Sequence, residues 1–507
     1  MNKKRKQFSI NNTSFCVLAC SMLLGITSCS KSFLDVAPQA QTPGQAFWKT
    51  QQDATLAVNA MYANLREWNN IAFAPIAVES MPSDDAEKGS TPGDATFMND
   101  YDNFTVSSTT SQLDGFWAGQ YQTINFANQV IDNVDTMSTV DAAFKARYLG
   151  EAKFIRAYAY FRLNRAFGGV PLRLHVPNDA TEYNIPRSTA DEVWDAVEQD
   201  LTDAASVLPQ SYGPTDIGRA TKGAALALHA KVAMYRTAKD KTKWQEVFDL
   251  TNQVMQLGIY SLFPNYEQMF RIQNENNSES IFEVQAQYIP GNNDASNSQY
   301  SQVQGDRDAS PSVGWGFNVP TQDLVSAYEP GDPRKDATIL FAGETTPEGD
   351  VVPPPSAGSP SMFNQKSYVP FALAAVDNQG SDQNIRVLRY ADVLLMNAEA
   401  ANELGNTAQA LSSLEMVRAR ARNMQSDPNV LPKITTTDQA QLREAIWHER
   451  RVELAMEFDR FYDLVRQGRA ATVLAPKGFK AGKNEVMPIP QNEIDLSAGV
   501  ITQNPGY

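Results

Sequence analysis

The sequence predicts an all-α protein, a mainly helical scaffold that carries long loop excursions and little β structure. Two observations lead there. Apolar residues recur at three- and four-residue steps towards both ends of the chain, the spacing of helix faces buried against one another. Between them, from Pro264 to Asp382, that period fades, and Asn, Gln, Ser, Gly and Pro accumulate. With 507 residues, 42% apolar and 20% charged, the chain can bury a large core. That composition excludes disorder, collagen and a multi-span membrane protein.

Taken in order, the first element is an address. Lys3, Lys4, Arg5 and Lys6 form a basic start, and an apolar run from Phe15 to Ile26 follows. The run is too short for a membrane-spanning helix and suits an export signal. It ends in Ile26-Thr27-Ser28-Cys29, an aliphatic residue and two small ones before a cysteine, as at a bacterial lipoprotein cleavage site. Cys20 is a rival, but it would leave only a stub of the apolar run. Residues 1–28 are therefore expected to be removed and Cys29 to be lipidated. Cys16 and Cys20 leave with the signal, so no thiol or disulfide chemistry is expected afterwards. Two or more acyl chains make a stable anchor.

Helices come next. Phe116 to Val134 and Phe144 to Phe167 read as a long pair. Thr189 and Glu192 form a capping-box pattern, followed by Val193, Val197, Leu201, Ala204 and Leu208 at helical steps. Gly218 to Tyr235 is alanine-rich, as expected of a helix packed closely on several sides. Another helix runs from Trp244 to Leu257, with Gly258 placed to cap it. Val387 to Leu404 then turns at Gly405-Asn406 into Ala408 to Ala421, and Leu442 to Phe458 follows. Paired helices with short turns resemble tetratricopeptide-type units, and a plain irregular bundle fits the pattern nearly as well.

The charge balance argues against one partner class, and the scarcity of histidine argues against catalysis. Lys and Arg number 43 against 58 Asp and Glu, a net charge of −15 that opposes a nucleic-acid partner. Only His175, His229 and His448 are available as imidazoles. His448-Glu449 lacks the second histidine of a zinc-protease helix, because Val452 stands one turn on. No metal or cofactor is expected. Glu449, Glu453 and Glu457 lie on one helix stripe, with Arg450, Arg451 and Arg460 nearby, and read as a salt-bridged network. Asp84-Asp85 has no nameable partner for the acid pair of a glycosidase.

Two polar, aromatic-bearing loop regions remain, Glu79 to Phe104 and the central segment. Gly314-Trp315-Gly316 lacks the context of a dinucleotide loop and reads as a flexible mount for Trp315. Sugar rings stack their C–H faces on aromatics, while amides take their hydroxyls. Trp315, Phe317 and Asn318 fit that chemistry, and Tyr288, Tyr300, Phe97, Tyr101 and Asp84 are the further ligand candidates.

Motifs along the whole mature chain resemble the SusD/RagB family of outer-membrane nutrient-binding lipoproteins. They begin with Phe33-Leu34-Asp35. Lys153-Phe154-Ile155-Arg156-Ala157-Tyr158-Ala159-Tyr160-Phe161, Phe167-Gly168-Gly169-Val170-Pro171-Leu172 and Arg219-Ala220-Thr221-Lys222-Gly223 follow. Later come Gly331-Asp332-Pro333-Arg334, Arg389-Tyr390-Ala391-Asp392, Glu449-Arg450-Arg451 with Arg460-Phe461-Tyr462-Asp463, and the ending Asn504-Pro505-Gly506-Tyr507. The resemblance implies four tetratricopeptide-like helix pairs in a right-handed superhelical scaffold, and no catalysis. On this reading residues 29–240 form an N-terminal helical region. Residues 241–507 form a C-terminal region with a loop-rich insertion at about 264–385, packed with it as one body. It also implies a glycan ligand and a TonB-dependent outer-membrane barrel as partner, with the lipoprotein on the extracellular side. No ligand residue transfers by motif. A peptide-binding member of the family, a surface glycoside hydrolase and a purely structural component are the rival readings.

Overall fold

The computed structural model describes residues 47–179, 182–289, 298–309, 314–374 and 380–507. The expected lipidation residue, Cys29, and the Phe33-Leu34-Asp35 opening lie outside them. Thr50–Tyr507 is one compact unit.

Its longer helices follow the predicted order, with one more before them and one after them that the sequence reading did not name. They are α1 (Gln51–Asn64), α2 (Leu113–Val134), α3 (Ala142–Phe167), α4 (Ala190–Val207), α5 (Lys222–Arg236) and α6 (Lys243–Gln256). The second half adds α7 (Tyr390–Glu403), α8 (Thr407–Arg422), α9 (Gln439–Leu454) and α10 (Arg460–Arg466). Each of α1 to α8 packs on the next, and α9 lies on α7. The local reasons are those the sequence shows. The capping box at α4 is formed, with Glu192 N–H donating to Thr189 Oγ1 at 3.2 Å and Thr189 N–H to Glu192 Oε2 at 2.7 Å. The alanines of α5 are fully buried between α4 and α6. Gly258 takes a positive φ of 67° just past α6, ending that helix as a left-handed residue does.

Several boundaries shift by three or four residues, and two of these shifts change the architecture. Ile385–Arg389 is a strand rather than the first turn of α7, and its apolar pattern serves either period. α9 stops at Leu454 rather than Phe458. Met456 and Phe458 there have φ of 66° and 67°, a left-handed geometry uncommon for non-glycine residues.

The strands form three two-stranded antiparallel ladders among the described residues. β1 (Ala86–Gly89) pairs with β3 (Phe317–Pro320), β2 (Ser280–Val284) with β6 (Ile385–Arg389), and β4 (Ile339–Phe341) with β5 (Met362–Asn364). The β1–β3 ladder matters most, because it ties the two loop regions together. Segment 79–104 is accordingly no surface excursion: Glu79, Ser83, Asp85, Ala86 and Met98 are buried.

The glutamate stripe of α9 is the centre of a buried ion network. Arg389 reaches Glu453 at 2.6 Å, Glu279 at 2.8 Å and Glu457 at 2.8 Å. Arg334 reaches Glu449 at 2.6 Å and Glu453 at 3.1 Å, and Arg420 also engages Glu453. Burial pushes the Glu453 carboxyl up, but the guanidiniums of Arg420, Arg389 and Arg334 outweigh it and hold the group well below its ordinary range. The partners are therefore not the neighbours named from sequence. Arg450 turns instead to Asp392 and Asp463, while Arg451 and Arg460 hold Asp84 and Asp85.

Candidate functional site

The segment that follows α1 meets the central loop region at an aromatic cluster. Trp68 sits in a single helical turn (Trp68–Ile71) after α1, and Phe73 follows it. Trp315 comes from the central region. Its ring lies 5.8 Å from Trp68 and 5.7 Å from Phe73, at interplanar angles of 52° and 29°. Phe317 meets Phe73 edge-on at 4.8 Å. Trp68, Phe73 and Trp315 are each partly exposed, whereas Phe317 is buried beneath them. Two indoles and a phenyl ring thus share one half-open surface, an arrangement suited to stacking on flat, weakly polar ligand faces.

Each limb of this platform is fixed by close backbone approaches. On one side, Gly119 of α2 lets the Trp68 turn settle onto the helix. A β-carbon there would stand 2.8 Å from Asn70 Oδ1 and 3.1 Å from the Asn69 carbonyl oxygen. Asn70 is buried, donates to the Asn64 carbonyl at 2.7 Å and accepts from Gln120 at 2.8 Å. On the other side, residues 314–316 zip onto the end of the short helix Tyr300–Gln304. Trp315 N–H donates to Gln302 O at 2.9 Å, and Gly316 N–H donates to Gly305 O at 2.9 Å. A β-carbon on Gly314 would lie 2.1 Å from Gly305. Of the glycines flanking Trp315, Gly314 permits this close packing and Gly316 takes a left-handed φ of 71°, so both hold the mount in a defined geometry.

A polar rim borders the aromatics. Arg307 donates to Ser90 Oγ and Asp94 Oδ2, both at 2.8 Å, and both charged side chains are partly exposed. Slight burial opposes ionisation of Asp94, but the bonds from Ser90 and Arg307 outweigh it and hold the carboxyl below its ordinary value. Lys88 Nζ sits 5.7 Å over the Phe317 ring and donates to the carbonyls of Thr91 and Asp94 at 2.8 Å.

The other residues named from sequence have different placements. Asn318 is fully buried, with both ends of its amide engaged by Ser80 and Gln304. Tyr101 is fully buried and donates to the Ser111 carbonyl at 2.8 Å, and burial raises its phenol pKa. Tyr300 is buried edge-on against Phe458, its pKa pushed up to about 12 by burial. These three, with Phe317, are buried and present little or no face to solvent.

Asp84 is gripped by Arg460 through two 2.7 Å bonds, and Arg451 donates to Asp85 at 2.8 Å. Burial opposes ionisation of Asp84 and raises the Asp85 pKa, while the Arg460 bonds bring Asp84 below its ordinary value. The pair is a latch to the C-terminal helices. Phe97 and Tyr288 are part-exposed.

Trp68 and Phe73 escaped the sequence reading. They lie in elements of three and four residues with no period to flag them. The signal available was Trp68-Asn69-Asn70, an aromatic beside amides, the same chemistry that singled out Trp315. Elsewhere, Glu198, His229 and Glu246 come close enough to share a cation. Lys243 already supplies one, with Nζ 3.0 Å from Glu198 and 2.6 Å from Glu246.

Two family models match this chain: the SusD family over residues 278–507, and the family described as starch-binding, associating with the outer membrane, over residues 32–234. A solved laminarin-binding SusD-like protein is 31% identical, superposes with a TM-score of 0.78, and is matched over 90% of this chain and 100% of its own. The chain belongs to the SusD/RagB family. A surface glycan-binding protein A of Bacteroides fluxus is 26% identical, with a TM-score of 0.76 over 90% of this chain and 100% of that one. A SusD-like protein of Formosa agariphila is 28% identical over 96% of this chain and 98% of its own length. The helical body is accordingly the tetratricopeptide-like scaffold of SusD proteins, and the platform stands on its loops.

Proposed function

We propose that this SusD-family protein binds oligo- or polysaccharide on the Trp68–Phe73–Trp315 platform, without cleaving it, and passes the glycan to a TonB-dependent outer-membrane barrel. The observation that carries the reading is the partly exposed trio of aromatic faces, drawn from two segments remote in sequence and each held by close backbone contacts. The locking of Asp84 and Asp85 by Arg451 and Arg460 supports binding over hydrolysis, since both carboxylates are committed to structure. The outer-membrane setting and lipid anchor rest on the signal sequence with Cys29 and on the description of the matched family. No described helix is long and apolar enough to cross a membrane, so the acyl chains on Cys29 would be the attachment.

Laminarin is the first ligand to try, because the 31% identical relative is described as binding it. The purified protein should be retarded in a gel containing laminarin, and a Trp68→Ala/Trp315→Ala double variant should run free while melting cooperatively. Retention undiminished in that variant would remove the platform from the site. Release of reducing ends by the wild-type protein would replace binding with hydrolysis.

A further inference from the structure

Asn318 is placed where the two limbs of the platform must be joined. It directly follows Phe317, whose ring meets Phe73 at 4.8 Å. Its φ of 56° is left-handed, a conformation that asparagine tolerates better than most residues with a β-carbon. Its side chain is completely buried and bonded at both ends. Ser80 Oγ, at the end of the turn that follows Phe73, donates to Asn318 Oδ1 at 2.7 Å. Asn318 Nδ2 donates to Gln304 Oε1 at 2.6 Å, and that oxygen also accepts from Asn364 Nδ2 at 2.9 Å. Gln304 closes the short helix whose Gln302 carbonyl holds the Trp315 N–H. Ser80, Gln304 and Asn364 are all at most 4% exposed.

We propose that Asn318 is a positioning residue for glycan recognition. Through the Ser80–Asn318–Gln304 relay it fixes the Trp68–Phe73 limb against the Trp315 limb, so that the aromatic faces are presented at one spacing and tilt. This rests on the platform being the glycan site. The chemistry of the relay is specific. The Asn318 amide accepts from the serine hydroxyl through its oxygen and donates to the Gln304 oxygen through its nitrogen at the same time. With every member buried, a lost bond leaves an unsatisfied group that the chain must move to pair. The groups such a movement would displace are the two limbs, because the relay bonds run from one to the other.

Asn318→Gly tests this, because glycine keeps the left-handed backbone and removes the side chain with its amide. Two readouts are needed. The first is laminarihexaose affinity by calorimetry, expected to fall at least tenfold. The second is the exciton couplet of the Trp68–Trp315 indole pair in circular dichroism, isolated as the difference from Trp315→Phe and expected to shrink or change shape without ligand. A role in stability alone would lower the melting temperature and leave that couplet unchanged below the melt. Ser80→Ala, which removes only one bond of the relay, should show a smaller change of the same kind and serves if the glycine variant does not fold. A wild-type couplet in the folded variants overturns the proposal, as does unchanged affinity in Asn318→Gly when Trp315→Ala has lost it. Undiminished affinity in Trp315→Ala itself overturns the glycan reading of the platform instead. The couplet decides the relay even if laminarihexaose is the wrong glycan.

Discussion

Replacing Glu453 by Gln should destabilise the protein far more than a surface charge change would. Glu453 is fully buried and accepts from three guanidiniums, those of Arg389 at 2.6 Å, Arg334 at 3.1 Å and Arg420. Gln keeps the shape and one acceptor oxygen, but its amide group turns two hydrogens towards arginines that have nothing to accept them. Breaking a buried ion pair from one side costs about 3–5 kcal/mol. At roughly 2 °C per kcal/mol, the lower end for large domains, the melting temperature should fall by about 6–10 °C. The sign of the pH dependence is fixed as well. The folded-state pKa of Glu453 is depressed, so its contribution is fully present above the unfolded carboxylate value of about 4.3 and is lost as pH falls towards the folded value. Calorimetric melts of both proteins between pH 7 and pH 3 should therefore show a wide gap that narrows in acid. A melting temperature within about 1 °C of wild type at pH 7 would refute the reasoning, as would a gap that widens in acid.

Four further outcomes follow from the same geometry. Trp315→Ala should weaken glycan binding about tenfold, or about 1.4 kcal/mol. Because its ring packs on Trp68 and Phe73, it should also lower the melting temperature by a few degrees, as calorimetry and a melt will show. Gly119→Ala should reduce affinity with little loss of helical content, since a β-carbon 2.8 Å from Asn70 Oδ1 lifts the Trp68 turn while alanine favours α2. Lys366 is buried, and desolvation lowers its pKa to about 8 despite the Glu457 carboxylate at 2.6 Å. Stability lost to its charge should be regained as pH rises from about 8 towards the unfolded value of about 10.4, a rise absent in Lys366→Met on denaturant titration. Cys29→Ala should abolish incorporation of labelled fatty acid; persisting label would move the site to Cys20.

How much of this was legible from sequence depends on the range of the interaction. Helix α4 announces itself because Thr189, Glu192 and the Val193 series all act within one helix. The end of α9 does not, because Met456 and Phe458 take left-handed backbone to deliver Glu457 to Lys366 and Arg389, residues far back in the chain. The glutamate stripe showed that cations were needed but not which ones. Arg334, Arg389 and Arg420 converge only after folding. The site divides in the same way. Trp315 stood out by its glycine neighbours and its polar setting, whereas Trp68 becomes meaningful only when β1 pairs with β3. Asn318 looked like a ligand group because amides bind sugars. Burial shows it binding Ser80 and Gln304 instead, a distinction no local pattern contains.

The latch between Asp84 and Arg460 spans 376 positions of chain, and that between Asp85 and Arg451 spans 366. A protein emerging from its amino end would expose Trp68 and Phe73 long before Trp315 could join them, and the closing arginines would arrive later still. Contacts that distant form slowly, after the local helices have collapsed. Ligand binding would then be a property acquired late in biogenesis, and a chain interrupted anywhere before the final helices would carry most of the aromatic surface yet no competent site. Recovery of binding after dilution from denaturant should lag behind recovery of helical signal, and the lag would time the arrival of the carboxyl-terminal arginines.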